Sequence, residues 1–267
     1  MPWIDTNDAS LRYRIEGDGP PLVLVHEMGG CLESWSHVVP LLRGRRVLRF
    51  DQRGAGLSQK IVGTLDIGTL VADLAGLLDA LGIADRVGIA GCAVGAAVSL
   101  AFAARHPARV AGVVAMAPAT HIEPERRQEL LDLADEIERK GMRARTLDRL
   151  EQTFPARYRN GDGRLEAFRA IALANDPRSY AAVQRMLAGL EIAGDLTRIA
   201  CPTLVLAGET DAIRPPPLVA AAISSIPGAV FRTVPSGHVM PMLTPGLVAA
   251  EIDAFLPVEP RSAQALQ

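Results

Sequence analysis

A chain of 267 residues with 28 basic against 30 acidic side chains carries a formal net charge of -2, which excludes a strongly basic nucleic-acid binder. Hydrophobic residues at 49% and charged residues at 22% give the usual globular balance, so the chain has the material for one large domain and disorder is excluded as its main state. Its three cysteines, Cys31, Cys92 and Cys201, are scattered and never in C-x-x-C spacing, which suggests neither a disulfide framework nor a zinc site and fits a reducing cytosol.

The opening MPWIDTNDAS carries acids where a secretory leader would be basic and runs into no apolar segment, so no export is expected and a cytoplasmic location follows. Leu11, Tyr13 and Ile15 then alternate with Arg12, Arg14 and Glu16, the period of a half-buried strand, here expected at an antiparallel edge. Short apolar runs follow at 22–25, 47–50, 87–90, 110–116 and 203–207, separated by helical patterns. This is the rhythm of a mostly parallel sheet of about eight strands, covered on both faces. Thr69, Val71, Ala72, Leu74, Ala75, Leu77, Leu78 and Leu81 form a helical stripe that Gly82 closes. The most apolar stretch, 87–104, is interrupted by Gly88, Gly91 and Gly95 and is poor material for a membrane span. Between Met116 and Thr203 strand patterns vanish; 124–140, 164–174 and 177–189 read as helices, the last two separated by Asn175-Asp176-Pro177. A last strand over Val230 to Val234 and a helix over Pro245 to Phe255 complete the alternation. The expected organisation is therefore a core of 1–120 and 196–256, a helical cap over 121–195 that lies above the ligand crevice as a lid, and a frayed tail over 257–267.

The segment VGIAGCAVGAAVSLAFAARHP, 87–107, turns an apolar strand directly into an Ala-rich helix through Gly91-Cys92-Ala93-Val94-Gly95. A sharp strand-to-helix turn tolerates only small residues two before and two after its centre, so Gly91 and Gly95 centre it on Ala93. The pattern is the G-x-S-x-G nucleophile elbow with alanine in place of serine. Centring it on Cys92 instead would put Ala90 and Val94 at the flanks, where the valine crowds the turn, so Cys92 reads as a small buried residue. Ser99 on the following helix and Ser58 in a separate loop have no such turn and read as structural.

Upstream, VLVHEMGG ends a strand in a loop of the kind that aims a backbone N–H at a reaction centre. The Met28 N–H and, from the elbow, the Val94 N–H are the expected oxyanion donors. His26 reads as a core histidine satisfied by backbone. Glu27, where glycine is usual, either faces away or recognises a polar substrate group. Asp51 in RFDQRGAGLS sits where a carboxylate accepts loop N–H bonds, a structural role. Late in the chain, TLVLAGETDAIRPP places Asp211 past one strand and VPSGHVMPM places His238 past the next. The order of elbow, acid and histidine is that of a hydrolytic triad.

On these four motifs the chain resembles the α/β-hydrolase family over about residues 11–256, and within it the enol-lactonase and small-esterase branch. The resemblance implies a serine at the position of Ala93, His238 as general base, Asp211 as its orienting acid, and a two-donor oxyanion hole. Glu27, Gly29, Ile213 and Val239 flank these groups and are the expected substrate contacts. No cofactor and no metal are implied; the expected partner is a small-molecule ester or lactone, with no nucleic acid, no membrane and an oligomeric state that the sequence leaves open.

Ala93 itself admits two accounts: a serine replaced by alanine in an otherwise complete site, or a naturally inactive binding protein. Retention of the acid, the histidine and both elbow glycines favours the first, in which the chain binds substrate and barely turns it over. Amide or carbon–carbon bond hydrolysis and cofactor-free oxygenation share much of this site and stay open. The absence of a P-loop or of G-x-G-x-x-G after a strand argues against nucleotide binding. The substrate expected is small or medium-sized and carries a carbonyl, with an acid group that Arg143, Arg145, Arg149, Arg157 or Arg159 would meet, although solvated helix faces explain those arginines equally well. Leu130, Leu133, Phe154, Tyr158, Phe168, Met186 and Leu187 are expected mainly to pack the cap.

Overall fold

The computed structural model describes residues 2–143 and 150–258. Eight strands form one sheet: β1 Trp3–Thr6, β2 Ala9–Glu16, β3 Pro21–Val25, β4 Arg46–Phe50, β5 Val87–Cys92, β6 Val110–Met116, β7 Thr203–Gly208 and β8 Val230–Val234, in the order β1-β2-β4-β3-β5-β6-β7-β8. All neighbours from β4 to β8 run parallel; β2 pairs antiparallel with β4 and with β1. The antiparallel character of β2 is as expected, but β1 forms the edge. Asn7 and Asp8, both at positive φ, close the two-residue hairpin between them.

Side-chain alternation divides the core into two layers. Val23, Val25, Leu48, Phe50, Ile89, Val113, Ala115 and Val205 face helices α1 (Ile67–Ala80) and α2 (Val94–Arg105). Leu22, Leu24, Val47, Ala90, Cys92, Val114, Met116 and Leu204 face the opposite way, toward Trp35, Val248 and Ile252. The short strands read as continuous apolar runs because both faces are covered, each large aliphatic side chain contributing about 1.5–3 kcal/mol on full burial. The α1 helix starts two residues before the apolar stripe, where Asp66 accepts the Thr69 N–H at 2.7 Å as an N-cap.

Helices α3 (Pro124–Lys140), α4 (Arg164–Ala174) and α5 (Pro177–Ala188) lie in the insertion at nearly the expected bounds, and Asp176 caps α5 by accepting the Ser179 N–H at 2.8 Å. A helix α6 (Pro216–Ala222), begun by prolines that suit a first turn, was not expected from periodicity; α7 (Pro245–Phe255) was. No helix among the described residues is long and apolar enough to cross a membrane. Most of the tail, with Arg145 and Arg149, lies outside the described residues.

The strand register sets up the site. Val25 pairs with Gly91, Cys92 with Met116, Met116 with Leu206, and Gly208 with Val234. The strands therefore end together, and the loops bearing 26–30, 93, 211 and 238 leave the same edge of the sheet, where open parallel sheets bind ligands.

Candidate active site

Ala93 stands between β5 and α2 at φ 51 and ψ -110, a backbone conformation that L-residues rarely adopt. Its N–H donates to the Met116 carbonyl at 2.8 Å, and its carbonyl accepts the Ala97 and Ala119 N–H groups at 3.1 and 3.2 Å. Three bonds thus hold a conformation that would cost about 1–3 kcal/mol by itself. The two glycines are required by space: a Cβ on Gly91 would meet the Gly95 carbonyl and Ser99 hydroxyl, and one on Gly95 would run into the Val25 and His26 carbonyls. Because those obstacles are backbone, Gly95→Ala is expected to destabilise by about 3 kcal/mol, the upper end of overpacking costs, read as a lowered urea midpoint at unchanged slope. Ser99 is fully buried and donates to the Gly95 carbonyl at 2.7 Å, while Ser58 donates to the Asp51 carbonyl at 2.7 Å. Asp51 accepts the Leu32 and Leu57 N–H groups, each at 2.8 Å.

Cys92 points into the opposite core layer and donates its thiol to the His238 carbonyl at 3.4 Å. Burial, followed by the charges of Glu27 and Asp211, pushes this thiol well above its ordinary pKa, so thiolate is not available there.

The acid and histidine loops are stitched together by backbone. Glu209 N–H donates to Val234 O at 2.9 Å and Thr210 N–H to Ser236 O at 3.0 Å, and Gly208 has no side chain to obstruct the approach. His238 Nδ1 consequently lies 2.8 Å from Asp211 Oδ2, while Asp211 Oδ1 accepts the Ile213 and Arg214 N–H groups at 2.8 and 2.9 Å. Burial would raise the Asp211 pKa, but the nearby His238 charge and these hydrogen bonds outweigh it and bring the carboxyl below its ordinary range. An ionised carboxylate only accepts, so Nδ1 carries the proton and Nε2 is left for chemistry.

A carboxyl with a lowered folded-state pKa adds stability that is complete above its unfolded pKa of about 3.9 and disappears as pH falls through the folded value. The stability difference between the parent and Asp211→Asn is therefore expected to be largest near neutral pH and to shrink below about pH 4, as measured by urea unfolding across that range.

In the loop after β3, His26 is satisfied on both ring nitrogens: Nδ1 donates to the Glu27 carbonyl at 2.7 Å and Nε2 accepts the Gln52 N–H at 3.0 Å. That bond presents the loop at a fixed angle beside the elbow. No acceptor for the Met28 or Val94 N–H occurs among the described residues, and both residues line the cavity that Ala93 and His238 also line. Glu27 does not face away. It is 4% exposed and lines the cavity; Oε1 accepts the Ser34 hydroxyl at 2.8 Å, and Oε2 is buried without a partner among the described residues.

This cavity has a volume of about 140 Å³ and brings together Glu27, Met28, Gly29, Ala93, Val94, Ile213, His238 and Val239. Of the seven cap side chains named from the sequence, Leu130, Phe168 and Leu187 reach it. Phe154 and Tyr158 instead pack against Val239, Met242 and Leu243, joining the cap to the histidine loop. Arg143 and Arg157 are exposed, and Arg159 pairs with Glu151 at 2.6 Å. The cations that do line the cavity, Arg126 and Arg214, were not expected, nor was Tyr180, whose ring abuts Gly29, or Asn175, which donates to the Gly29 carbonyl at 2.8 Å.

Residues 20–139 match the family model described as alpha/beta hydrolase fold. The chain is similar to a thermophilic esterase from Thermogutta terrifontis, 30% identical with 93% of each chain covered and a TM-score of 0.86. It is also similar to the enol-lactonase of Burkholderia xenovorans LB400, 28% identical over 96% of this chain and 99% of the other, with a TM-score of 0.88. Among curated relatives, the 2-hydroxy-6-oxo-2,4-heptadienoate hydrolase of Pseudomonas putida is 45% identical over 105 residues, which are 38% of each protein. The chain matches less than half the length of the first curated relatives.

Proposed function

The chain belongs to the α/β-hydrolase family, and from that premise we propose that its serine-bearing form hydrolyses a small carboxylic ester or lactone by Ser-His-Asp catalysis, Ala93 holding the nucleophile position in the chain as it stands. The observation that carries this reading is that His238, held by Asp211 at 2.8 Å, shares one cavity with a positive-φ elbow residue.

With a hydroxyl at position 93, His238 Nε2 takes the proton as the oxygen attacks the carbonyl carbon. Asp211 holds the ring tautomer and stabilises the imidazolium. The Met28 and Val94 N–H groups receive the oxyanion, the latter helped by the positive end of α2. His238 then protonates the leaving alcohol and activates water, which releases the acid and restores the hydroxyl. Without that hydroxyl the cavity still binds. The described residues of 121–195 serve as the lid over the core of 1–120 and 196–256, since Leu130, Phe168 and Tyr180 help wall the cavity. The cavity volume and its contacts at Gly29, Ile213 and Val239 suit a small acyl group.

Restoring serine at position 93 tests the reading, with hydrolysis of an ester or lactone and phosphonate labelling as the expected result. A protein that had kept the fold and lost the chemistry would show neither. A second reading, hydrolysis of a carbon–carbon bond beside a carbonyl, is favoured by the likeness to the Pseudomonas putida dienoate hydrolase. A vinylogous diketone included in the same substrate series separates the two.

A further inference from the structure

Among the described residues five arginines are buried, and four of them lie against a carboxylate: Arg12 with Asp51, Arg45 with Asp253, Arg49 with Glu16 and Arg164 with Asp162. Arg214 is the exception. It is 7% exposed and forms no ion pair among the described residues; Nη1 and Nη2 each reach only the His121 carbonyl, at 3.3 Å. Asp211 is nearby in the chain, but its oxygens are taken by His238, Ile213 N–H and the Arg214 N–H itself. Glu123, the other acid acting on Arg214, is engaged with His121 at 3.2 Å.

Burial lowers the Arg214 pKa, with Glu123 and Asp211 opposing and Arg126 adding to the effect, yet a guanidinium stays charged at neutral pH. A buried cation without a counter-charge is costly to keep. Arg214 also lines the cavity of Ala93 and His238, with Arg126 from α3 beside it. Its backbone N–H is tied to Asp211, but nothing in the hydrolytic steps uses its side chain.

The sheet order places the loops that carry these groups. The loops after β3, β5 and β7 carry Glu27, Ala93 and Arg214, and β6 separates β5 from β7. At about 4.8 Å per strand, the end of β7 lies roughly 10 Å from that of β5 and about 14 Å from that of β3, with β5 between them. Glu27 and Arg214 thus stand on loops from opposite sides of β5, and the charges acting on Arg214 are those of Glu123, Arg126 and Asp211.

We propose that Arg214, assisted by Arg126, receives a carboxylate carried by the substrate a few bonds from the scissile carbonyl, so that the ester or lactone taken here is an acid-bearing one. The bond broken rests on the hydrolase reading; the anion site does not.

Two measurements keep the two apart. In the first, the chain as it stands, with Ala93 in place, is titrated with monomethyl glutarate and with neutral dimethyl glutarate, followed by NMR. The half-acid is expected to bind at least tenfold more tightly than the diester, Arg214→Gln to remove that preference, and Arg214→Lys to retain part of it. Equal binding of the two ligands by the parent, or an undiminished preference in Arg214→Gln, overturns the anion site. The parent comparison needs no variant to fold. In the second, the Ala93→Ser protein is assayed on the mono-p-nitrophenyl ester of glutarate against p-nitrophenyl pentanoate. The kcat/KM ratio of acidic to neutral ester is expected to exceed ten and to fall at least tenfold with Arg214→Gln. A serine form inactive on both esters, beside a positive titration, defeats the hydrolase reading and leaves the anion site standing. A negative titration defeats the anion site whatever the serine form does.

Discussion

Turnover of a small ester or lactone is expected to rise about a millionfold when Ala93→Ser is introduced, the size of effect that loss of such a nucleophile has in a serine hydrolase. The change adds one oxygen to a residue whose backbone is already held by three hydrogen bonds at φ 51. No strain is therefore added, and the hydroxyl emerges into the cavity that His238 shares. Neither Ser99, spent on the Gly95 carbonyl, nor Cys92, buried beneath the elbow with its thiol pKa raised, can substitute for it. What remains without the oxygen is binding and the two N–H donors, worth about 10³–10⁴ over the reaction in water. The measurements are initial rates on a series of acyl chain lengths, a pre-steady-state burst of alcohol, and mass-spectrometric location of a phosphonate at position 93. A serine form that gives no burst, no label and no hydrolysis would remove the enzymatic reading.

Much of this site was legible because its parts are enforced locally. The elbow can be read from Gly91 and Gly95, since each is required by a backbone carbonyl that leaves no room for a Cβ. Asp211 and His238 stood out by their order after successive strands, and the paired ends of β7 and β8 convert that order into contact. The parallel strands were visible as apolar runs because both faces are covered.

The features the sequence does not show have separate physical causes. The edge strand β1 is four residues long with Trp3 half exposed, too short for a period to register. In sequence Arg214 is a polar residue in a proline-rich turn like any other; only the fold, which buries it against the His121 carbonyl, makes it a cation with no ion pair among the described residues. The arginines of the cap were conspicuous by number, yet those described at 143, 157 and 159 face solvent or pair locally. Glu27 is an anomaly in sequence, but that its Oε2 has no partner among the described residues depends on Ser34 occupying only one of its two oxygens.

In the Ala93→Ser background, Asp211→Asn is expected to lower kcat by about ten-thousandfold, the effect of the same change in a serine protease triad. The reason is the tautomer. An asparagine oxygen can still accept the Ile213 and Arg214 N–H groups that Oδ1 accepts now, which leaves the amide nitrogen where Oδ2 meets His238 Nδ1 at 2.8 Å. An amide nitrogen donates, so the ring answers with an unprotonated Nδ1 and carries its proton on Nε2, where it can no longer take one from the serine. Asp211 is not among the residues lining the cavity, so KM is expected to change little while kcat collapses. The two retained backbone bonds predict a folded variant, which near-ultraviolet circular dichroism checks. A variant within tenfold of its parent would mean that the imidazole is oriented by something other than the residue it touches, and the assignment of Asp211 as the acid would fail while the elbow stood.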